Sequence, residues 1–109
     1  LDLEKQIDLT SKPLKEFKFP EDIFMIIDKN IELEITLIKD YPEYSFLSDS
    51  DQKRKIIKLF SNKKSASLLC SKTQKVIKVP NGEVLSLAAP FLLKKGITRI
   101  IYDDYLLSI

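Results

Sequence analysis

The sequence predicts a small α+β domain with a mainly antiparallel sheet and two or three short helices. Three observations lead there. Residues 31–39 alternate apolar Ile31, Leu33, Ile35 and Leu37 with polar Glu32, Glu34 and Thr36, the period of a half-buried strand. Residues 75–79 and 83–87 form two strand-like runs on either side of Asn81-Gly82, a dipeptide suited to a hairpin because both residues accept positive φ. The runs 23–27 and 56–60 carry apolar residues at spacings that fit one face of a helix.

The elements follow in order. Residues 1–12 have few apolar anchors and are expected to form a loose N-terminal arm. Pro13–Phe19 alternates Phe17 and Phe19 with Lys18, suggesting a short strand. Pro20 suits the first position of a helix that Glu21 and Asp22 favour electrostatically, with Asn30 as its stop. The strand 31–39 then turns through Asp40-Tyr41-Pro42-Glu43, and Tyr44–Leu47 can return beside it. Ser48, Asp49 and Ser50 are competent caps for a helix over 51–61. Ser65–Ser71 and Lys75–Val79 are read as strands, Asn81-Gly82 as a hairpin turn, and Glu83–Leu87 as the returning strand. Ala88–Lys95 is a short helix with Pro90 in its first turn and Gly96 just past its end; Ile97–Tyr102 is a buried strand.

Composition bounds the class. With 109 residues, 44% hydrophobic and 31% charged, the chain can bury one core without staples, so a single globular domain over 1–109 is expected. It opens Leu-Asp-Leu without a methionine, consistent with a piece of a longer protein, and shows no recognisable signal peptide. One cysteine, Cys70, excludes an internal disulfide and fits an intracellular setting, cytoplasm or nucleus. No apolar run is long enough to span a bilayer, so no membrane partner is expected.

The missing residue types narrow the chemistry. There is no histidine, which removes the commonest general base and zinc ligand. Two glycines, Gly82 and Gly96, cannot write a phosphate-cradling loop or a dinucleotide fingerprint. Glu32 and Glu34 share the exposed parity of a strand, and Asp103-Asp104 reads as a charged turn rather than as part of a magnesium site. No catalytic residue, metal site or cofactor is assigned, and an enzyme is not expected.

Charge is sorted along the chain. Residues 1–49 hold twelve acidic and six basic side chains, whereas residues 50–102 hold twelve basic and two acidic, Asp51 and Glu83. The formal net charge of +2 conceals this layout. It raises the expectation of an acidic or polyanionic partner for the second half. The candidate nucleic-acid contacts are Lys53, Arg54, Lys55, Lys58, Lys63, Lys64, Lys75 and Lys78, with Lys72 between them; a solvated helix face is the competing reading. A second candidate surface is the aromatic and apolar C-terminal segment Tyr102, Tyr105, Leu106, Leu107 and Ile109, which can dock on another protein or close this chain's own core.

Two stretches carry likenesses. The order Gly82-Glu83-Val84-Leu85-Ser86-Leu87, Leu92-Leu93-Lys94-Lys95-Gly96 and Ile100-Ile101 resembles the small β-rich domain of GINS replication subunits. Phe17–Ile27 followed by Leu68-Leu69-Cys70-Ser71-Lys72-Thr73 resembles the start of a subunit of an alternative clamp loader. Each likeness implies a non-catalytic part of a DNA-handling assembly, and the chain is assigned to neither family. The functional expectation is a non-catalytic protein-interaction module or small accessory subunit with another protein chain as partner. The alternative is a DNA- or RNA-binding domain using the basic 53–78 region.

Overall fold

The computed structural model describes residues 11–28 and 34–109. Its centre is a mixed sheet of seven strands: β1 (Ser11–Pro13), β2 (Phe24–Asp28), β3 (Ile35–Leu37), β4 (Lys55–Phe60), β5 (Gln74–Lys78), β6 (Ile97–Tyr102) and β7 (Tyr105–Ser108). The spatial order is β1-β7-β6-β4-β2-β5. β3 pairs with the first half of β4, and β2 meets the end of β4 through Phe24 opposite Phe60. The β4–β6 and β1–β7 pairs are parallel, whereas β2–β4, β2–β5, β3–β4 and β6–β7 are antiparallel. Among the described residues three helices accompany the sheet: α1 (Asp49–Gln52), α2 (Lys63–Leu69) and α3 (Glu83–Lys94). The α+β class with a mainly antiparallel sheet is therefore as expected, with two parallel pairings added.

Both faces of the sheet are covered, which explains why its strands are apolar on both parities. Ile57 and Leu59 of β4 join Met25, Ile27, Ile100, Tyr102 and Leu107 in one cluster, packed beneath Leu85 and Leu92 of α3. On the opposite face, Ile56, Ile101 and Leu106 pack under Ile38, Tyr44 and Leu47. Beside them Phe60 and Ile26 pack under Ala66 of α2. Ile56, Leu59, Ile97, Ile100, Ile101 and Leu107 have no exposed surface. Burying each such side chain contributes about 1.5–3 kcal/mol, so β4, β6 and β7 form the stable centre.

Several expected elements are corrected by this double coverage. Phe24–Asp28 is a strand between β4 and β5, not a helix, because Met25 and Ile27 face one cluster while Ile26 faces another. Lys55–Phe60 is likewise a strand rather than the middle of a helix over 51–61; the Ser48 cap, whose Oγ accepts from the Asp51 N–H at 3.3 Å, starts only the short α1. Tyr44–Leu47 is not a paired strand: 3-10 turns at Ile38–Asp40 and Pro42–Tyr44 fold this segment over the sheet face. Pro13–Phe19 is a strand only at Pro13, followed by a 3-10 turn at Leu14–Glu16 that buries Leu14. The strand expected over 31–39 is formed at Ile35–Leu37, and residues 31–33, Glu32 among them, lie outside the described residues. Of the arm expected over 1–12, residues 1–10 also lie outside them, whereas Ser11 and Lys12 pair with β7.

The segment after Asn62 needs the largest correction. Ser65–Ser71 is not a strand: Asn62 Oδ1 accepts from the N–H groups of Lys64 and Ser65 at 2.8 and 3.3 Å and caps α2. Asn81-Gly82 is not a hairpin turn, and Glu83–Leu87 is not a strand. Gly82 has φ −67° and ψ −23°, ordinary helical values, and Asn81 Oδ1 accepts from the Glu83 N–H at 3.0 Å, opening α3. The strand order behind the GINS likeness is therefore absent here. Gly82 serves close approach instead, since a β-carbon there would stand 2.9 Å from Cδ2 of the Phe19 ring. Pro90 lies inside α3, where it deprives the Ser86 carbonyl of its helical donor; both residues are exposed, so water can replace that bond. Gly96, with φ +82°, ends the helix as expected. The strand expected over Lys75–Val79 forms at Gln74–Lys78, and Ile97–Tyr102 is a strand as expected.

Candidate functional site

The C-terminal segment is largely structural. Tyr102, Leu106 and Leu107 are 2, 4 and 0% exposed and belong to the sheet's two main clusters, so they close this chain's own core instead of presenting a docking segment. The Tyr102 hydroxyl donates to the Asp22 carbonyl at 2.8 Å, and its ring meets Phe17 and Phe19 edge-on. Asp103 and Asp104 form the tight turn between β6 and β7, Asp103 with φ +50°, a value that aspartate tolerates. Asp103 Oδ1 accepts from the Ser61 N–H at 3.0 Å, which ties this turn to the end of β4. Ile109 packs against the core and its N–H donates to the Thr98 carbonyl at 3.1 Å. Tyr105 alone of the five is markedly exposed, with Phe17 5.0 Å away and the Lys12 ammonium 5.6 Å from its ring centre.

The basic candidates do not form one face, because a strand replaces the expected helix. β4 rises about 3.3 Å per residue, placing Lys55 and Phe60 about 17 Å apart at opposite ends of the sheet. Lys53 and Lys55 sit at the end where β4 begins, both exposed. Lys63 and Lys64 lie at the other end, in the first turn of α2. Lys75 and Lys78 are on the edge strand β5, and Lys78 reaches Asp22 at 3.7 Å. Lys72 is exposed in the turn before β5. Arg54 is a structural tie: its Nε donates to Asp51 Oδ1 at 2.6 Å and its Nη1 to Thr98 Oγ1 at 3.4 Å. Burial raises the Asp51 carboxyl pKa, yet the hydrogen bonds from Arg54 and Ser48 and the charges of Arg54 and Arg99 prevail, holding it below the ordinary carboxylate value.

Lys58 is half-buried on the sheet face between the two clusters there. Its ammonium donates to the Asp103 carbonyl at 2.8 Å and lies 5.5 and 5.9 Å from the ring centres of Phe60 and Tyr41. Burial lowers its pKa against the opposing pull of Asp103, Glu43 and Asp104. Glu34, Thr36 and Tyr41 complete a small cleft around it, with Thr36 Oγ1 2.9 Å from the Tyr41 hydroxyl. Burial raises the Tyr41 pKa, partly offset by that hydrogen bond. The cleft holds about 70 Å³, room for roughly two waters and far below a substrate pocket. Among the described residues, no group of three or more acids and cysteines is placed to hold a metal ion.

Two features escape the sequence reading. The end of α3, where Lys94 and Lys95 precede Gly96, comes to the start of β4: the Lys55 Cδ lies 3.7 Å from where a β-carbon on Gly96 would stand, and Lys55 is opposite Ile97 in the parallel register. The available signal is that Lys53 and Lys55 stand at the start of one buried strand and Lys94 and Lys95 just before another. The other feature is the outer face of α3, where Val84, Leu87 and Phe91 recur at i, i+3 and i+7 and are 39, 76 and 66% exposed. Here apolar residues on both sides of the helix imitate a strand's pattern. A wide apolar groove of about 540 Å³ runs along the opposite flank of α3, past Leu14, Ala89, Leu93 and Ile109. Among the described residues, no helix is long and apolar enough to cross a membrane.

Residues 12–109 match the family model described as cyanobacterial transposase-derived protein, C-terminal domain. The match covers almost the whole chain, and the chain belongs to that family. No curated protein and no solved structure matches it significantly.

Proposed function

We propose that this transposase-derived domain is a non-catalytic interaction module, an accessory part of a DNA-handling assembly that holds another protein chain on the outer face of α3. The observation that carries the reading is the stripe Val84, Leu87 and Phe91. A helix whose inner face is already buried gains nothing in its own fold from a leucine and a phenylalanine at 76 and 66% exposure. Contiguous apolar surface of this kind marks contact sites, and an exposed aromatic is a favoured anchor. The partner that fits is a protein segment with an apolar face, such as an amphipathic helix seated on the stripe.

The non-catalytic part of the reading is supported by the chemistry on hand. The chain has no histidine, Asp51 is tied to Arg54, Asp103 to the Ser61 N–H, and the cleft at Lys58 is too small for a substrate. The family description supports the DNA-handling setting.

The test is capture from nuclease-treated extract of the protein's own cells, comparing wild type with Leu87→Asp/Phe91→Asp, alongside sedimentation of each protein alone. A protein recovered in stoichiometric amount with wild type and lost with the variant supports the reading, provided both melt alike. Equal recovery by both, or recovery that nuclease abolishes, refutes it. Concentration-dependent dimers of wild type, dissolved by the variant, would make the partner a second copy of this chain.

A further inference from the structure

We propose that the end of the sheet where β4 and β6 begin grips the phosphate backbone of duplex DNA through Lys53, Lys55, Lys94 and Lys95. This goes beyond the docking face on α3 and stands or falls separately from it.

The four lysines come from segments some forty residues apart, 53–55 and 94–95. The parallel pairing of β4 with β6 brings both strand starts to one end of the sheet, with Lys55 opposite Ile97 and its side chain over Gly96. All four are exposed. Among the described residues none of the four is ion-paired, which separates them from Lys78 at Asp22 and Arg54 at Asp51. The sequence has no acid over 52–82 or 84–102, so neither contributing segment carries its own neutralising charge. Of the acids that precede Lys53, Asp51 holds Arg54 and Asp40 Oδ2 accepts from the Leu37 N–H at 3.1 Å, while Asp49, exposed in the first turn of α1, is not ion-paired with Lys53.

The bland account is that lysines at a helix C-terminus merely complement its dipole. That covers Lys94 and Lys95 but gives no reason for Lys55 to stand over Gly96, with Lys53 just before it at the same end of the sheet. Lysine ammonium groups are point charges without the planar fork of arginine, and such contacts position a protein on a backbone without reading sequence. Single-stranded DNA or RNA needs stacking platforms, and the patch itself contains no aromatic residue. Duplex DNA bound without sequence preference is the ligand that matches, and the family's transposase ancestry is in keeping with it.

The test is fluorescence anisotropy of a labelled mixed-sequence duplex titrated with the chain across a range of salt. Four phosphate contacts give a slope of log K against log salt of about −3.6, so a roughly fourfold rise in salt weakens binding about 150-fold. The doublets Lys53→Gln/Lys55→Gln and Lys94→Gln/Lys95→Gln each reduce the slope by about half, and the quadruple variant brings it near zero. Lys63→Glu/Lys64→Glu, at the opposite end of the sheet, leaves it unchanged. Melting curves confirm that every variant is folded. Absence of duplex binding by the wild type overturns the proposal, as does a loss confined to one doublet or equal sensitivity to Lys63→Glu/Lys64→Glu. Tighter binding of single-stranded DNA, RNA or polyglutamate than of duplex overturns the choice of ligand.

Discussion

Replacing Leu107 by alanine tests whether the C-terminal strand belongs to this chain's own core. Leu107 is fully buried in the cluster formed by Ile57, Ile100, Tyr102 and Leu85, and the β6–β7 pairing places it opposite Ile100. Truncating such a leucine removes about three methylene equivalents and leaves a cavity, a loss of about 2–5 kcal/mol. For 109 residues at about 2.1 cal/mol/K each, the unfolding entropy is about 230 cal/mol/K, so a loss near 3 kcal/mol lowers Tm by about 13 °C. The paired control is Leu87→Ala, a leucine 76% exposed on α3, whose removal should stay within about 0.5 kcal/mol and shift Tm by about 2 °C. Calorimetry of the two variants against wild type measures both. If Leu107→Ala melts within a few degrees of wild type, the tail is not part of the core and the assignment of β7 fails.

The remaining predictions concern α3 and α1. Gly82→Ala should cost about 1–3 kcal/mol in chemical denaturation because its β-carbon meets Phe19, whose ring is held by Phe17 and Tyr102; an unchanged midpoint would show that the ring yields freely. Asn81→Ala should cost about 1 kcal/mol through loss of the cap to Glu83, and a gain in stability would contradict the helix start. Asp51→Asn should cost about 1 kcal/mol at neutral pH, discounted for the partly exposed Arg54. Since folding lowers the Asp51 pKa, its contribution is complete above the unfolded value of about 3.9 and is lost as pH falls through the folded value. The difference between variant and wild type should therefore close in acid, and a gap that persists there would assign the effect to packing instead.

How much of this fold the sequence reveals depends on how many faces of each element are covered. β6 and β5 are legible because a boundary flanks each of them: Gly96 before Ile97, and the polar Lys72-Thr73 before Gln74. β2 and β4 are not. Met25-Ile26-Ile27 and Ile56-Ile57 put apolar groups on both parities because α3 covers one face of the sheet while α2 and the 38–47 segment cover the other. A short unbroken apolar run fits strand and helix equally, and only its two neighbours in space decide. The opposite error arose in α2 and α3. Leu68 and Leu69 are 79 and 67% exposed, and Val84, Leu87 and Phe91 also face outward, so neither helix shows a clean polar face. Apolar groups exposed where folding does not need them concealed both helices, and on α3 they form the stripe proposed for docking.

The basic residues carry the same lesson into function. Read on a helix, Lys53, Arg54, Lys55 and Lys58 form one cationic face. On the actual loop and strand they separate into an exposed pair at the sheet end, an arginine spent on Asp51 and a half-buried ammonium held by the Asp103 carbonyl. Charge segregation along the chain is thus a weak guide to charge segregation in space, because a strand carries neighbouring residues in opposite directions while a parallel pairing joins residues far apart. Lys94 and Lys95 enter the argument only through the β4–β6 register. The DNA contact proposed here consequently depends on that register as much as on the lysines. Disrupting the pairing by Ile57→Pro should abolish duplex binding with all four lysines still present, by removing a buried strand's hydrogen bond and unfolding the sheet. Salt-dependent binding retained by that unfolded chain at wild-type affinity would show that the charge alone suffices, and that the converged geometry contributes nothing.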